Sequence, residues 1–262
     1  MLYTNEVELN QFITDNIHKG HHVFIVGGNS GVGKTHTVNC LAKSLGMFLI
    51  SIDSNVAEVR EVLQSGLENM SMRYMVCVEN VDTGVSGVQQ SLLKSIEEYS
   101  ENIYWVITCR NLKYVQETIL SRGITFNMSD PSVSDITEFA KSKANGAFDS
   151  VKDSPMWKAV RSFADVNMVT YLFDQDRDKF DYFNNLVNID YRESVSNLSY
   201  KIQHYPDKSK IPLDFLFKFI IANTSDSTIK YVAIQHLREL ERLNSYVVVN
   251  HFLFTVKYAL RY

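Results

Sequence analysis

The chain reads as an α/β protein: a parallel sheet flanked by helices, followed by an all-helical region. Three observations predict this. Strand and helix signals alternate over residues 1–130, as crossover connections between parallel strands require. Gly28-Asn29-Ser30-Gly31-Val32-Gly33-Lys34-Thr35 joins the first strand signal to the first helix signal. After Asp130-Pro131 the strand signal fades, and the residue before a proline is pushed out of the helical region.

His22-Val23-Phe24-Ile25-Val26 is a short apolar run, which predicts a buried parallel strand over 22–27. Val38, Leu41, Ala42 and Leu45 fall at i, i+3, i+4 and i+7, so 35–45 is a helix with one apolar face. Further strands are predicted at 47–52, 74–79, 103–108 and 124–128, with helices at 56–69, 86–99 and 113–121. Beyond residue 131, the segments 132–144, 154–163 and 166–174 read as short helices. The segments 176–189, 192–204, 211–222, 226–243 and 246–260 read as longer ones. Ile229, Val232, Ala233, His236, Leu237, Leu240 and Leu243 form a helical stripe, and Pro206 to Lys210 is a polar turn. Val247-Val248-Val249 is compatible with either a strand or a helix, because periodicity does not separate them in so short a run. The resulting division is 1–130, 131–174 and 175–262.

Composition narrows the function. The net charge of −4 over 262 residues is not that of a protein holding nucleic acid on a broad basic surface. Any DNA contact is therefore local or shared with partner chains. Cys40, Cys77 and Cys109 are scattered and no C-x-x-C pair occurs, so spacing indicates no zinc site. Cys77 and Cys109 lie in apolar strand-like runs, as buried free thiols do, which fits a reducing cytoplasm. Met1 to Asn16 carries acids and no apolar h-region. The longest apolar stretch, Tyr246 to Leu260, is broken by Asn250, His251 and Lys257 and is too short and polar to span a bilayer.

The chemistry starts in the glycine-rich loop. G-x-x-x-x-G-K-T between a strand and a helix binds a nucleoside triphosphate, here at residues 28–36, Gly28 through His36. Glycines let successive N–H groups of Asn29, Ser30, Gly31, Val32 and Gly33 turn inward toward phosphate oxygens. Lys34 reaches the terminal phosphates and the Thr35 hydroxyl ligates Mg²⁺. The third strand ends in Glu79-Asn80-Val81-Asp82, and an acid at such a strand end holds Mg²⁺. The fourth strand ends in Thr108-Cys109-Arg110-Asn111, and Ile119-Leu120-Ser121-Arg122-Gly123 follows. An arginine such as Arg122 suits donation to a neighbour's phosphate. In the helix over 86–99, which opens with Ser86-Gly87, Gln89 and Lys94 are candidate contacts to DNA phosphate.

These residues carry a family resemblance. His21 through Thr35 resembles the nucleotide loop of replication clamp-loader subunits of the AAA+ superfamily, with the paired histidines before the strand. Gln89-Gln90-Ser91-Leu92-Leu93-Lys94-Ser95-Ile96-Glu97-Glu98 resembles that family's Q-N-A-L-L-K-x-L-E-E helix. Trp105 to Arg122 is similar to the sensor-1 strand and the T-I-L-S-R-C box, with Gly123 in place of the final cysteine. The resemblance spans roughly residues 20 to 128. It implies an AAA+ nucleotide-binding domain over 1–130, a small helical lid over 131–174 and an all-helical collar over 175–262, where Leu243-Asn244 joins the last helix pair. It further implies ATP and Mg²⁺ as cofactors. The implied partners are other clamp-loader subunits, a sliding clamp and primer–template DNA, in the cytoplasm of a bacterium or a phage-infected host.

The departures from the family pattern bear on hydrolysis. The family's Asp-Glu pair aligns with Glu79 and Asn80, and an amide does not accept a proton from the attacking water. The sensor-1 position aligns with Arg110, and the sensor-2 arginine with Asn167, with Arg161 two turns earlier as a substitute. Lys34, Thr35 and Arg122 keep the pattern. The reading that follows is an ATP-binding loader subunit that opens and loads the clamp, with Lys34, Asn80 and Arg122 at the chemistry. The alternatives are a non-hydrolysing, stator-like subunit that donates Arg122, and another AAA+ protein such as a helicase loader.

Overall fold

A computed structural model describes residues 3–53, 72–82, 87–97, 101–143, 148–186, 213–239 and 245–259. The chain divides into two compact units. One is Met1–Asp135 with Ser162–Ala164, and the other is Ile136–Arg161 with Asp165–Tyr262.

The first unit is built on five parallel strands: β1 (Val23–Gly27), β2 (Phe48–Asp53), β3 (Tyr74–Glu79), β4 (Ile103–Thr108) and β5 (Ile124–Asn127). Their order across the sheet is β2-β3-β4-β1-β5. Side chains alternate between two faces of a strand, and here both faces are apolar. Val23 and Ile25 join Val76, Val78, Trp105 and Ile107 in one buried cluster. Phe24 and Val26 join Met75, Cys77, Tyr104 and Val106 in another. The first cluster is closed by α3 (Gly87–Glu97), through Val88, Leu92 and Ile96, and by Ile119 of the single-turn α4 (Glu117–Leu120). The second is closed by α1 (Thr4–Ile17), through Leu9 and Ile13, and by α2 (Lys34–Ser44), through Val38, Leu41 and Ala42. The predicted strands match to within about a residue at each end, the usual scatter of element boundaries.

Four elements differ from expectation, one being the single helical turn Phe148–Val151, which the sequence reading left out. Helix α1 was not read from the sequence, although Leu9, Phe12 and Ile13 lie on its inner side. The predicted helix over 113–121 is a 3₁₀ turn, Leu112–Tyr114, followed by α4. Its break comes at Val115, which is extended with φ −88° and ψ 133°. The predicted helix over 154–163 shortens to the single turn Pro155–Lys158. The helices expected over 56–69 and 192–204, the turn at Pro206–Lys210, Ser86, Leu240 and the Leu243-Asn244 junction lie outside the described residues.

Among the described residues the regular elements of the second unit are all helices: α5 (Val133–Lys143), α6 (Phe148–Val151), α7 (Pro155–Lys158), α8 (Phe163–Gln175), α9 (Arg177–Asn185), α10 (Leu213–Asn223), α11 (Ser227–Glu239) and α12 (Ser245–Ala259). Helices α5 and α8 begin on residues of the first unit. Val248 and Val249, compatible with either structure in sequence, are helical and buried. One apolar cluster runs from Ile136 to Val256, drawing on both 131–174 and 175–262. Aromatic rings dominate it: Phe183 meets Phe215 at 6.1 Å and Phe217 meets Phe252 at 5.1 Å, both edge to face. Each unit holds one of the two tryptophans. Trp105 is wholly buried in β4 with no partner for its indole Nε1. Trp157 is partly buried against Phe148, ring centroids 5.2 Å apart. Among the described residues no helix is long and apolar enough to cross a membrane.

Candidate nucleotide-binding site

The glycine-rich loop leaves the carboxyl end of β1, which lies between β4 and β5 in the sheet. Open α/β sheets bind ligands at the carboxyl ends of their strands. Helix α2 starts at Lys34 behind Gly33, whose φ of 101° is left-handed and which offers no side-chain cap. The first-turn N–H groups of α2 are thus left for an anion, and the helix dipole favours one there. Val32 anchors the loop, its side chain 1% exposed beside Val38 and Leu41. The Asn29 amide donates to Asp130 Oδ1 at 2.8 Å, while Ser30 is exposed.

The loop has a tight neighbour within its own unit. The Phe163 N–H donates to the Gly31 carbonyl at 3.1 Å. Gly31 has φ +79°, and a Cβ there would lie 2.7 Å from both Ala164 Cβ and Ser162 Oγ. Gly31→Ala therefore adds a clash to the roughly 1–2 kcal/mol that a left-handed L-residue costs. An unfolding free energy lowered by at least that amount in urea melts is the expected result, and an unchanged value would contradict this loop geometry.

Lys34 is buried and donates from Nζ to the carbonyls of Gly28, at 2.6 Å, and Asn29, at 2.9 Å. Burial pushes its ammonium below the ordinary lysine range; Cys109, Asp82 and Glu79 oppose that shift, and Arg110 adds to it. The Thr35 hydroxyl donates to Glu79 Oε2 at 2.9 Å, and the Ser51 hydroxyl to Oε1 at 2.6 Å. The two residues expected to hold Mg²⁺ are thus in contact across β1's loop and β3's tip. Ser51 was missed, since a lone serine near a strand end carries no motif. His36 is exposed on the first turn of α2, with Nε2 3.7 Å from Cys40 Sγ.

The tips of β3 and β4 are tied together. Asn80 has φ 52° and is the one non-glycine residue with positive φ among the described residues; asparagine is among the few side chains that tolerate this region. Its N–H donates to Thr108 Oγ1 at 3.2 Å, and the Val81 N–H donates to the Thr108 carbonyl at 3.0 Å. Asp82 Oδ2 accepts from the N–H groups of Arg110 and Asn111, both at 3.0 Å. This fixes the loop in which Arg110 stands at the sensor-1 position. Neither Thr108 nor Asp82 was assigned this tying role from the sequence.

Gln89 faces inward. Its amide nitrogen donates to the Val81 carbonyl at 3.2 Å and the Tyr114 carbonyl at 3.0 Å, and its oxygen accepts from Gln116 N–H at 2.7 Å. That leaves exposed Lys94, of the two DNA candidates on α3, turned to solvent. Arg122 makes its contacts away from the loop: Nη2 lies 2.6 Å from Glu97 Oε1, and Nη1 donates to the Thr118 carbonyl at 2.7 Å. In the second unit, Arg161 donates from Nη1 to the carbonyls of Lys158 and Val160, and Asn167 is exposed.

The donors fit a magnesium-bound triphosphate. Uncapped N–H groups at 34–36 suit phosphate oxygens, Lys34 supplies the cation, and Thr35 and Glu79 supply hard oxygen ligands.

Comparison with known proteins bears on the family. Residues 46–132 match the family model for the DNA polymerase III delta subunit. The DNA polymerase III subunit gamma of Buchnera aphidicola subsp. Acyrthosiphon pisum is 26% identical over 151 residues, covering 46% of this chain and 42% of that protein. The same subunit from Buchnera aphidicola subsp. Schizaphis graminum is 27% identical over 153 residues, with 47% and 42% covered. Over less than half of its length, the chain is thus similar to delta and gamma subunits of DNA polymerase III. The matched segment spans under half the length of these curated relatives. The crystal structure of a gamma-subunit-related protein from Thermotoga maritima, 14% identical, has the same fold: TM-score 0.54, with 95% of this chain and 98% of that one covered.

Proposed function

We propose that this chain is an ATP-binding subunit of a DNA polymerase sliding-clamp loader, which assembles with other loader subunits to open the clamp at primer–template DNA. The Thr35–Glu79 contact at 2.9 Å is the observation that carries the nucleotide part of this reading, because it joins hydroxyl and carboxylate where Mg²⁺ would sit. The likeness to delta and gamma subunits supports the loader part. Residues 131–174 would serve as lid and 175–262 as collar. The test is co-purification of the tagged chain with a sliding clamp and other loader subunits. Recovery of neither, at native expression levels, would overturn it. An isolated chain should bind DNA weakly, since its net charge is −4. Tight, steeply salt-sensitive binding by the monomer would contradict a contact made only in the assembly.

Asn80 favours a second reading, a structural subunit that binds ATP without turning it over. The amide is no base, and its left-handed backbone disfavours the glutamate that hydrolysing relatives of the AAA+ class carry. Asn80→Glu should therefore raise turnover little, measured as phosphate release by the assembled loader. A large gain would show that the rest of the site is competent.

A further inference from the structure

We propose that Glu6, His36 and Cys40 form a three-donor site for a divalent transition-metal ion of the zinc class, which staples the N-terminal helix to the helix that leaves the nucleotide loop. The site goes beyond the loader function and does not depend on it. His36 and Cys40 stand four residues apart on α2, so they share one face. Glu6 reaches them from the first turn of α1, which packs on α2 through Leu9, Ile13, Val38 and Leu41. Spacing rules miss such a site, because its ligands come from two helices and only one is a cysteine.

The geometry is close to what the ion needs. The three ligand atoms all lie within 4.8 Å of one another. His36 Nε2 and Cys40 Sγ are 3.7 Å apart, against about 3.6 Å for the N and S corners of a tetrahedral zinc centre. Side-chain movements of about 1 Å would bring in the rest. Glu6 supplies an independent indication. It is 4% exposed, and among the described residues its carboxylate takes a long 3.4 Å bond from Tyr3 N–H and hydrogen-bonds with the Cys40 thiol. A buried carboxylate beside a thiol needs a positive partner to stay charged, and a divalent ion replacing the thiol proton would supply one. Thiolate and carboxylate together balance the ion's charge. Sulfur and imidazole donors select zinc or cobalt over magnesium or calcium, and the exposed His36 leaves the fourth position to water.

Cobalt(II) is the probe. The full-length chain, stripped with chelator and kept reduced, is titrated with Co²⁺ and read by absorbance. The expected result is one ion per chain with a thiolate-to-cobalt charge-transfer band and tetrahedral d–d bands, displaced by Zn²⁺. The charge-transfer band should vanish in Cys40→Ser. In Glu6→Gln the affinity should fall by at least the roughly 10- to 100-fold that loss of an outer-shell partner costs. It should persist in Glu79→Gln, which disables the separate magnesium position. Cys77 and Cys109 are 0% exposed, so the thiolate signal belongs to Cys40. Circular dichroism checks that each variant is folded. Absence of the band in the wild-type chain, or its survival in Cys40→Ser, overturns the site.

Discussion

Arg122→Ala in this chain is expected to depress ATP hydrolysis at the adjoining subunit's site in the assembled loader by roughly 10³–10⁵-fold, the range for an arginine given in trans. The same variant should bind its own ATP with nearly unchanged affinity, because Arg122 touches Glu97 and Thr118 and makes no contact with the loop residues. The Glu97 pair does not prevent this role. Its side chains are 38% and 52% exposed, and so open a pair contributes only about 0–1 kcal/mol. A neighbour's triphosphate, more highly charged and better shielded from water, would draw the guanidinium away. Two measurements on one preparation decide the matter: phosphate release by the reconstituted loader and calorimetric ATP binding by the variant chain. Unchanged hydrolysis would remove Arg122 from the chemistry, and lost ATP binding would place it at this chain's own site.

Lys34→Ala is expected to weaken Mg-ATP binding by about a hundredfold or more. Charge-assisted hydrogen bonds contribute about 1.5–3 kcal/mol each, and roughly 3 kcal/mol is a hundredfold in affinity. In the chain as described, Lys34 donates to two loop carbonyls. Its replacement therefore also removes a contact that shapes the loop. A urea melt of the variant separates the two effects: a small change in midpoint with a large loss of affinity assigns the cation to the phosphates. Calorimetry showing wild-type affinity in Lys34→Ala would mean that the nucleotide site lies elsewhere.

The parallel sheet was legible because its strands are apolar on both faces. Tyr74–Val78 and Ile103–Thr108 read as continuous runs, and both became central strands. The loop was legible because phosphate binding demands fixed residue types at fixed spacing. Helix α1 was missed since its buried set includes Asn5 and Glu6 beside Leu9 and Ile13, which blurs the apolar stripe. The ties that shape the site were missed for another reason. Ser51, Thr108 and Asp82 act through one hydroxyl or carboxylate group each, reaching across strands, and no local pattern marks a partner 28 residues away. Gln89 shows the converse. A polar residue on an amphipathic helix reads as solvent-facing, yet three backbone groups claim its amide.

The placement of the two indoles gives each unit its own optical reporter. Trp105, wholly enclosed in β4, should emit at short wavelength and be slow to quench with iodide. Trp157, partly open beside Phe148, should emit further to the red and quench readily. With Trp157→Phe, denaturation followed by fluorescence tracks the sheet unit alone, and with Trp105→Phe it tracks the helical unit alone. Coincident curves from the two variants would mean that the units melt as one cooperative body. Separated curves would show which of them opens first, and adding Mg-ATP should shift only the curve reported by Trp105.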